Sequence, residues 1–496
     1  MIAKVIPFTS TLRVVPIGTL HAIHAIHCIE VILPAAILWG MSFPLALAAA
    51  GSGRGDAGRS SGDVYAANTA GAIAGALGVS FVTIPHWGTR TSQQILIAIA
   101  GVSAAVMYVW VHRTERERNK NGAGRTPQAA IGALALITVI VAVRMVPQLA
   151  PLFQAEGRYI WLYNTSDTVP YWAEGASSTV AVRESANHLR FFHVAGKVEA
   201  SNDTMDMRTE RVLGHLSALA HPQPESVLVV GLGAGITAGA LLAHPEVKHI
   251  VICEIEPRVV QAAGYFSAEN HSVLSDPRVQ VIHDDARHFL ATTRTTFDII
   301  TSDPIHPWVR GNSVLFSREY YSIVKQRLRP GGIATQWIPL YETNEAAIKI
   351  QMRTFMDAFP NGTVWNTQKD GGYDVVVLGK MEPVRIDVQR VEQRIQDSPE
   401  LKQSLAEVQV NSAIDLLASY AAGAPDLEEW LRDTPVNRDF SLKLEYISGL
   451  AADLQKADEI YASMTRSRTF PSDMFVAPPL LQIQLKSLIP DIPAQR

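Results

Sequence analysis

Residues 31 to 50, VILPAAILWGMSFPLALAAA, carry no charge, and an uncharged run of this length is long enough as a helix to cross about 30 Å of hydrocarbon. Three further apolar segments follow it. Residues 64 to 85 are rich in small side chains (Ala66, Ala67, Gly71, Ala74, Gly75, Gly78), which at three- and four-residue spacing let helices approach closely in lipid. Residues 94 to 111 place Tyr108 and Trp110 where a membrane interface favours them, and residues 129 to 149 are charged only at Arg144. Four such segments in succession would leave a soluble domain with no polar surface. A transmembrane region of about four helices is therefore expected over residues 1 to 150. Residues 14 to 28, interrupted by His21, His24 and His27, read as a re-entrant or interfacial segment. Lys4 and Arg13 precede no clear cleavage site, so a signal peptide is not expected.

The rest of the chain has a different composition, because most of the apolar excess lies in that first region. The net charge of −4 gives no electrostatic footprint for nucleic acid. Two cysteines, Cys28 and Cys253, exclude a disulfide framework and a cysteine-based zinc site, and no metal is expected. Short alternating runs at 178 to 183 and 189 to 194 suggest a small antiparallel β segment over residues 151 to 200. From 201 to 380 the pattern changes. Apolar β-runs at 227 to 235, 250 to 254, 279 to 283 and 297 to 301 alternate with helical segments, the first being 208 to 220. That alternation predicts an α/β fold with a doubly wound, parallel, Rossmann-type sheet. Residues 381 to 496 carry helical patterns at 391 to 395, 413 to 420 and 442 to 454, and are expected to form a helical extension with no chemistry of its own.

In a doubly wound sheet ligands sit beyond the carboxyl ends of the strands, and the chemically interesting residues fall there. Gly231, Gly233 and Gly235 follow the first strand and suit a tight turn under a bound ligand. Ile236 stands where a dinucleotide fingerprint places its third glycine, which tilts the reading from NAD toward a nucleoside such as S-adenosylmethionine. Glu254 ends the second strand, where a carboxylate can accept hydrogen bonds from two ribose hydroxyls. Asp284 and Asp285 end the third; either can cap the next helix or accept from an adenine amino group. Asp303, followed by Pro304, ends the fourth. Each position alone has a plain structural reading as a turn or cap; together they are more specific.

The run VLVVGLGAG…VICEIEPRVV…DPRVQVIHDDARHFL…FDIITSDPIHPW…LFSREYYSIVKQRLRPGGI resembles the spermidine synthase (polyamine aminopropyltransferase) family. With LWGMSFPLALAA and VYAANTAGAIAGALGVSFVTIP before it, it resembles that family's membrane-fused bacterial branch. The resemblance implies a methyltransferase-like Rossmann fold and a decarboxylated S-adenosylmethionine or S-adenosylmethionine co-substrate. It makes Glu254 the ribose acid, Asp285 the adenine acid and Asp303 the base that activates an amine. The chain departs from the family in four places. Ala234 replaces the glycine-loop Asp, His306 the second acid after the catalytic one, and Thr209 a helix tyrosine. Residues 195 to 199, AGKVE, stand in for a D-G-x-x-Q segment. Glu199 and Asp206 are candidate replacements for the missing acids, and His306 and Trp308, with Trp337 and Tyr341, for the walls of an acceptor pocket.

The expected activity is thus alkylation of an amine by a membrane-anchored transferase. The alternatives are an S-adenosylmethionine-dependent methyltransferase, which tolerates Ala234, and a non-catalytic nucleoside-binding membrane scaffold. Expected partners are a small-molecule amine and the lipid membrane, with a homodimer left open. For orientation two arguments conflict. Arg113, Arg116, Arg118, Lys120 and Arg125 place the loop at 112 to 128 in the cytoplasm by the positive-inside rule and hence the α/β domain outside. A cytosolic co-substrate places that domain inside, and a multi-pass protein with a cytoplasmic α/β domain is expected.

Overall fold

The structure, a computed structural model, describes residues 17–51, 57–118, 128–157, 166–368 and 371–492. Lys4, Arg13, Lys120 and Arg125 lie outside them. The chain divides into two compact units. One comprises Met1–Thr165, Tyr171–Ala181 and Val194–Lys197, the other Ser166–Pro170, Val182–His193 and Val198–Arg496.

The first unit is helical over its N-terminal part: α1 (Ile17–Gly51), α2 (Ala57–Gly78), a π-helical turn (Val79–Thr83), α3 (Ile84–Arg118) and α4 (Gln128–Met145). Residues 17 to 28, expected as part of a re-entrant or interfacial segment, form the opening turns of α1. Histidines interrupt an apolar pattern, but they do not interrupt the backbone hydrogen-bond ladder. The second and third expected segments run into one another. Their boundary is Gly88, at φ 78° and ψ 167°, a conformation open to glycine. Two stretches, Cys28–Ala49 and Gly58–Val111, are long and apolar enough to cross a membrane, and Gly132–Met145 is a shorter apolar helix. Leu38, Trp39, Phe81 and Trp110 are exposed. A Cβ on Gly101 would lie 2.5 Å from Val139 Cγ1, so α3 and α4 approach closely where α3 has no side chain.

Four short strands, β1 (Thr168–Glu174), β2 (Thr179–Glu184), β3 (Arg190–Val194) and β4 (Lys197–Ser201), form a sheet in sequence order. The second unit is built on an eight-stranded sheet. Its strands are β5 (Ser226–Val230), β6 (His249–Cys253), β7 (Val279–Ile282), β8 (Phe297–Ser302), β9 (Leu328–Pro339), β10 (Thr363–Asn366), β11 (Asp374–Lys380) and β13 (Tyr420–Gly423). The order is β13-β10-β11-β9-β8-β5-β6-β7. β7, β6, β5, β8 and β9 are parallel, β11 runs antiparallel between β9 and β10, and β13 adds an antiparallel edge. Every residue of β5 and β8 is buried, as central strands covered on both faces require. The chain winds from β5 outward to β7, then returns to β8 on the other side. The switch point lies between β5 and β8, and the crevice there is where such sheets hold ligands.

The region from residue 381 is not only a helical extension. Tyr420, expected to end the helical pattern at 413 to 420, instead opens the edge strand β13 (Tyr420–Gly423). A second pair, β12 (Ile386–Asp387) and β14 (Phe475–Val476), is parallel. Trp365 of β10 is fully buried, with its ring 5.7 Å from Tyr420 and 6.3 Å from Phe475. Leu401 and Leu405 join the same core as Val212 and Leu216 of the helix Thr204–Ala220. The C-terminal region therefore completes the core that carries the sheet.

Candidate active site

The turn after β5 is shaped by positive φ: 85° at Gly231, 54° at Gly233 and 83° at Gly235. A Cβ at Gly235 would meet Asn270 Nδ2 at 3.0 Å, so packing as well as conformation demands glycine there. A Cβ on Gly233 would meet nothing within 4 Å, which leaves one face of the turn open to an approaching molecule. Glu254, just past β6, is buried and fastens this turn. Its Oε2 accepts from the Leu232 N–H and its Oε1 from the Glu256 N–H, each at 2.9 Å. Burial holds its pKa above the usual carboxylate range, against those two hydrogen bonds. Each oxygen keeps a second lone pair, so the same carboxylate can fasten the turn and accept from a diol.

The two aspartates after β7 divide their work. Asp285 caps the helix Ala286–Thr292, its Oδ1 accepting from the Arg287 and His288 N–H groups at 2.8 and 3.0 Å. Asp284 pairs with the His288 ring at 2.7 Å. Both stay at the carboxyl end of β7, at least partly exposed.

Asp303 follows β8, next to the glycine turn: its carbonyl oxygen would lie 3.3 Å from a Cβ on Gly231. Thr237, on the helix after that turn, donates to Asp303 Oδ2 at 3.3 Å. Burial pushes the Asp303 pKa up to about 7; the Thr237 hydroxyl opposes this and the charge of Glu199 adds to it. Glu199 Oε2 also lies 3.8 Å from His306 Nδ1. The His306 ring is enclosed by Trp308, Trp337 and Tyr341, with centroids 5.7, 5.4 and 5.1 Å away. Tyr341 in turn stacks on Tyr373 at 4.1 Å. Trp337 is fixed by an indole N–H bond to Asp374 Oδ1 at 2.9 Å. Thr209 bonds Thr367 at 2.9 Å and Asp374 at 3.4 Å. Asp206 accepts from the Ser201 hydroxyl at 2.5 Å.

Sequence reasoning missed Glu210. It lies on the helix Thr204–Ala220 and is only 8% exposed. Its Oε2 has no hydrogen-bond partner among the described residues. Burial drives its pKa well up, and the charges of Asp303 and Asp206 drive it further, against Arg211. That arginine is committed elsewhere, to Glu407 Oε2 at 2.6 Å and the Ser404 carbonyl at 2.7 Å. The spacing held the signal: residues 206 and 210 are one helical turn apart and share a face. Glu199, Asp206, Glu210 and Asp303 thus form a carboxylate-rich, largely buried region walled by aromatic rings. Such a region favours a cation, by charge and by the ring faces alike.

Strand order defines the class, an α/β protein, and its candidate site lies at a topological switch point. Residues 206–364 match the family model described as the spermine/spermidine synthase domain. A polyamine aminopropyltransferase of Leptospira biflexa is 34% identical over 161 residues, 32% of this chain and 56% of the relative. That of Oceanobacillus iheyensis is 25% identical, covering 55% of this chain and 51% of its own. The solved spermidine synthase of Thermotoga maritima covers 64% of this chain and 87% of its own, at 16% identity and a TM-score of 0.38. Residues 206–364 therefore form a domain similar to those of the spermidine synthase family. The chain spans about half the length of these two sequence relatives.

Proposed function

We propose that the protein is a membrane-anchored transferase that alkylates a small amine with a decarboxylated S-adenosylmethionine type of co-substrate. The observation that carries this reading is the Asp303 cluster. A carboxylate with a pKa near 7 stands among Glu199, Glu210 and Asp206, against aromatic walls. A protonated amine is attracted by such a cluster, and Asp303 accepts its proton at a pH close to neutrality. The freed nitrogen lone pair then forms a bond to the carbon beside the sulfonium. The carbon–sulfur bond breaks, and its electron pair returns to sulfur as a neutral thioether. Glu254, the open turn at Gly233 and the exposed Asp285 supply hydrogen-bond acceptors and space for a nucleoside. Asp206 and Glu210 add negative charge that favours ammonium groups, and His306 and Trp308 form the wall.

One observation favours a second reading. Ala234, fully buried with its carbonyl bonded to Asn270 Nδ2 at 2.9 Å, offers no charge from the turn to a co-substrate amine. Methyl transfer from S-adenosylmethionine needs none. Thermal melting of the purified protein separates the readings. Stabilisation by decarboxylated S-adenosylmethionine supports amine alkylation by it, stabilisation by S-adenosylmethionine alone supports methyl transfer, and neither supports a scaffold.

The anchor rests on Cys28–Ala49 and Gly58–Val111, and the proposed arrangement is multi-pass with a cytoplasmic α/β unit. A chain beginning at residue 151 is expected to leave the membrane fraction. Persistent association that only detergent releases would remove the anchor from this region.

A further inference from the structure

The loop from His306 to the helix Arg318–Arg327 forms part of the wall of the proposed acceptor pocket, and its ties run to residues 437 to 449. These lie outside the segment that matches the family model. Asn437 Nδ2 donates to the Ser313 carbonyl at 2.8 Å and the Phe316 carbonyl at 3.3 Å, and its own carbonyl accepts from the Arg318 N–H at 3.0 Å. Asp439 accepts from the Ser317 hydroxyl at 2.6 Å and forms a two-armed ion pair with Arg287. Glu445 Oε2 accepts from the Gly311 N–H at 3.4 Å and the Ser313 hydroxyl at 3.3 Å. Gly449 backs Trp308, whose Cβ would lie 3.8 Å from a Cβ at that position.

We infer that residues 437 to 449 are a strap that positions the acceptor loop, with Glu445 as its positioning residue over Gly311 and Ser313. The inference rests on the proposed reading of the site for its consequence in substrate binding, but not for its geometry. The physical case is one of loop entropy. An exposed loop held only at its ends samples many conformations, and each tie made by a folded neighbour removes some of them. Glu445 contacts no reacting group in this arrangement. It acts through the loop, and its loss is felt as a less organised pocket. The two arms on Asp439 extend the strap to Arg287, two residues beyond Asp285. One segment therefore braces the helix at the proposed nucleoside end and the loop at the proposed acceptor end.

The test uses the bond after Arg310, which is exposed and open to trypsin, in the full-length protein. Glu445→Ala is expected to speed cleavage between Arg310 and Gly311 about tenfold. Glu445→Gln, which keeps a side-chain carbonyl at the same reach, is expected to restore most of the protection. With putrescine as the amine probe, Glu445→Ala raises KM several-fold with kcat within about twofold, and Glu445→Gln reverses the rise. Stabilisation by decarboxylated S-adenosylmethionine stays the same in all three proteins. Equal cleavage of wild type and Glu445→Ala overturns the strap, as does Glu445→Gln behaving like the alanine variant. If wild type binds neither nucleoside, the transferase reading fails, and cleavage alone still decides the strap.

Discussion

The two sides of the crevice are built differently. On the proposed nucleoside side, Glu254 bonds N–H groups 22 residues back and two residues ahead, and Asp285 caps a helix with its own next turn. Its acids are engaged with backbone that the first parallel strands present together. On the proposed acceptor side, Glu199, Glu210, Asp303, His306, Trp337 and Tyr341 come from separate strands, a helix and loops. They meet as charges and ring faces. The first side is rigid by hydrogen bonding, and its acids cost stability when removed. The second concentrates negative charge that folding disfavours and a cationic ligand relieves.

Variants on each side test that difference. The largest effect is expected at the boundary, where Asp303→Asn should lower turnover roughly 10²–10⁴-fold while nucleoside affinity stays within about twofold. Full activity in steady-state kinetics would remove the base from the mechanism. Next comes the nucleoside side. Glu254→Ala loses the two proposed ribose acceptors and strands two buried N–H groups, each worth about 1–3 kcal/mol. Nucleoside affinity should fall ~100-fold by calorimetry, and the melting temperature should drop with it. Lost affinity at an unchanged melting point would mean that Glu254 does not fasten the turn.

Glu210→Gln should do the reverse. The KM for putrescine rises about 10–100-fold, the loss of a charge-assisted contact, while stability improves. The sign follows from its raised pKa. Stability supplied by a raised carboxyl is complete below the unfolded value, near 4.5, and is lost as pH rises toward the folded one. Melting curves should therefore separate wild type from Glu210→Gln progressively as pH increases, with the variant higher. The smallest effect is in the pH profile. With an Asp303 pKa of about 7, kcat/KM should rise about tenfold between pH 6 and 8. A flat profile would point to a base other than Asp303.

Much of this molecule is legible in its sequence. The apolar runs of the first 150 residues and the alternation from 201 onward follow from local periodicity, because hydrophobic spacing reports directly on helix and strand geometry. Gly231 and Gly235 could be read because only glycine enters the left-handed region without strain, and the strand-end acids because a doubly wound sheet directs its strand ends to one crevice. Local pattern separated the apolar segments at 64 to 85 and 94 to 111 but did not disclose the non-helical Gly88 between them, since hydropathy marks the apolar lengths and not the backbone torsion. Nor did it disclose that Tyr420–Gly423 is an edge strand, because a four-residue apolar run suits either structure until a neighbouring strand supplies hydrogen bonds. Glu210 looked like one more charge on a helix, and only packing buried it beside Asp303. The same holds for Asn437, Asp439 and Glu445, which lie more than 100 residues from the loop they bind. Sequence alone determined the parallel strands β5 to β8 and where their acids fall, because those depend on neighbours along the chain. Tertiary structure decided which carboxylates share one pocket and what holds its wall, because burial and charge coupling depend on neighbours in space.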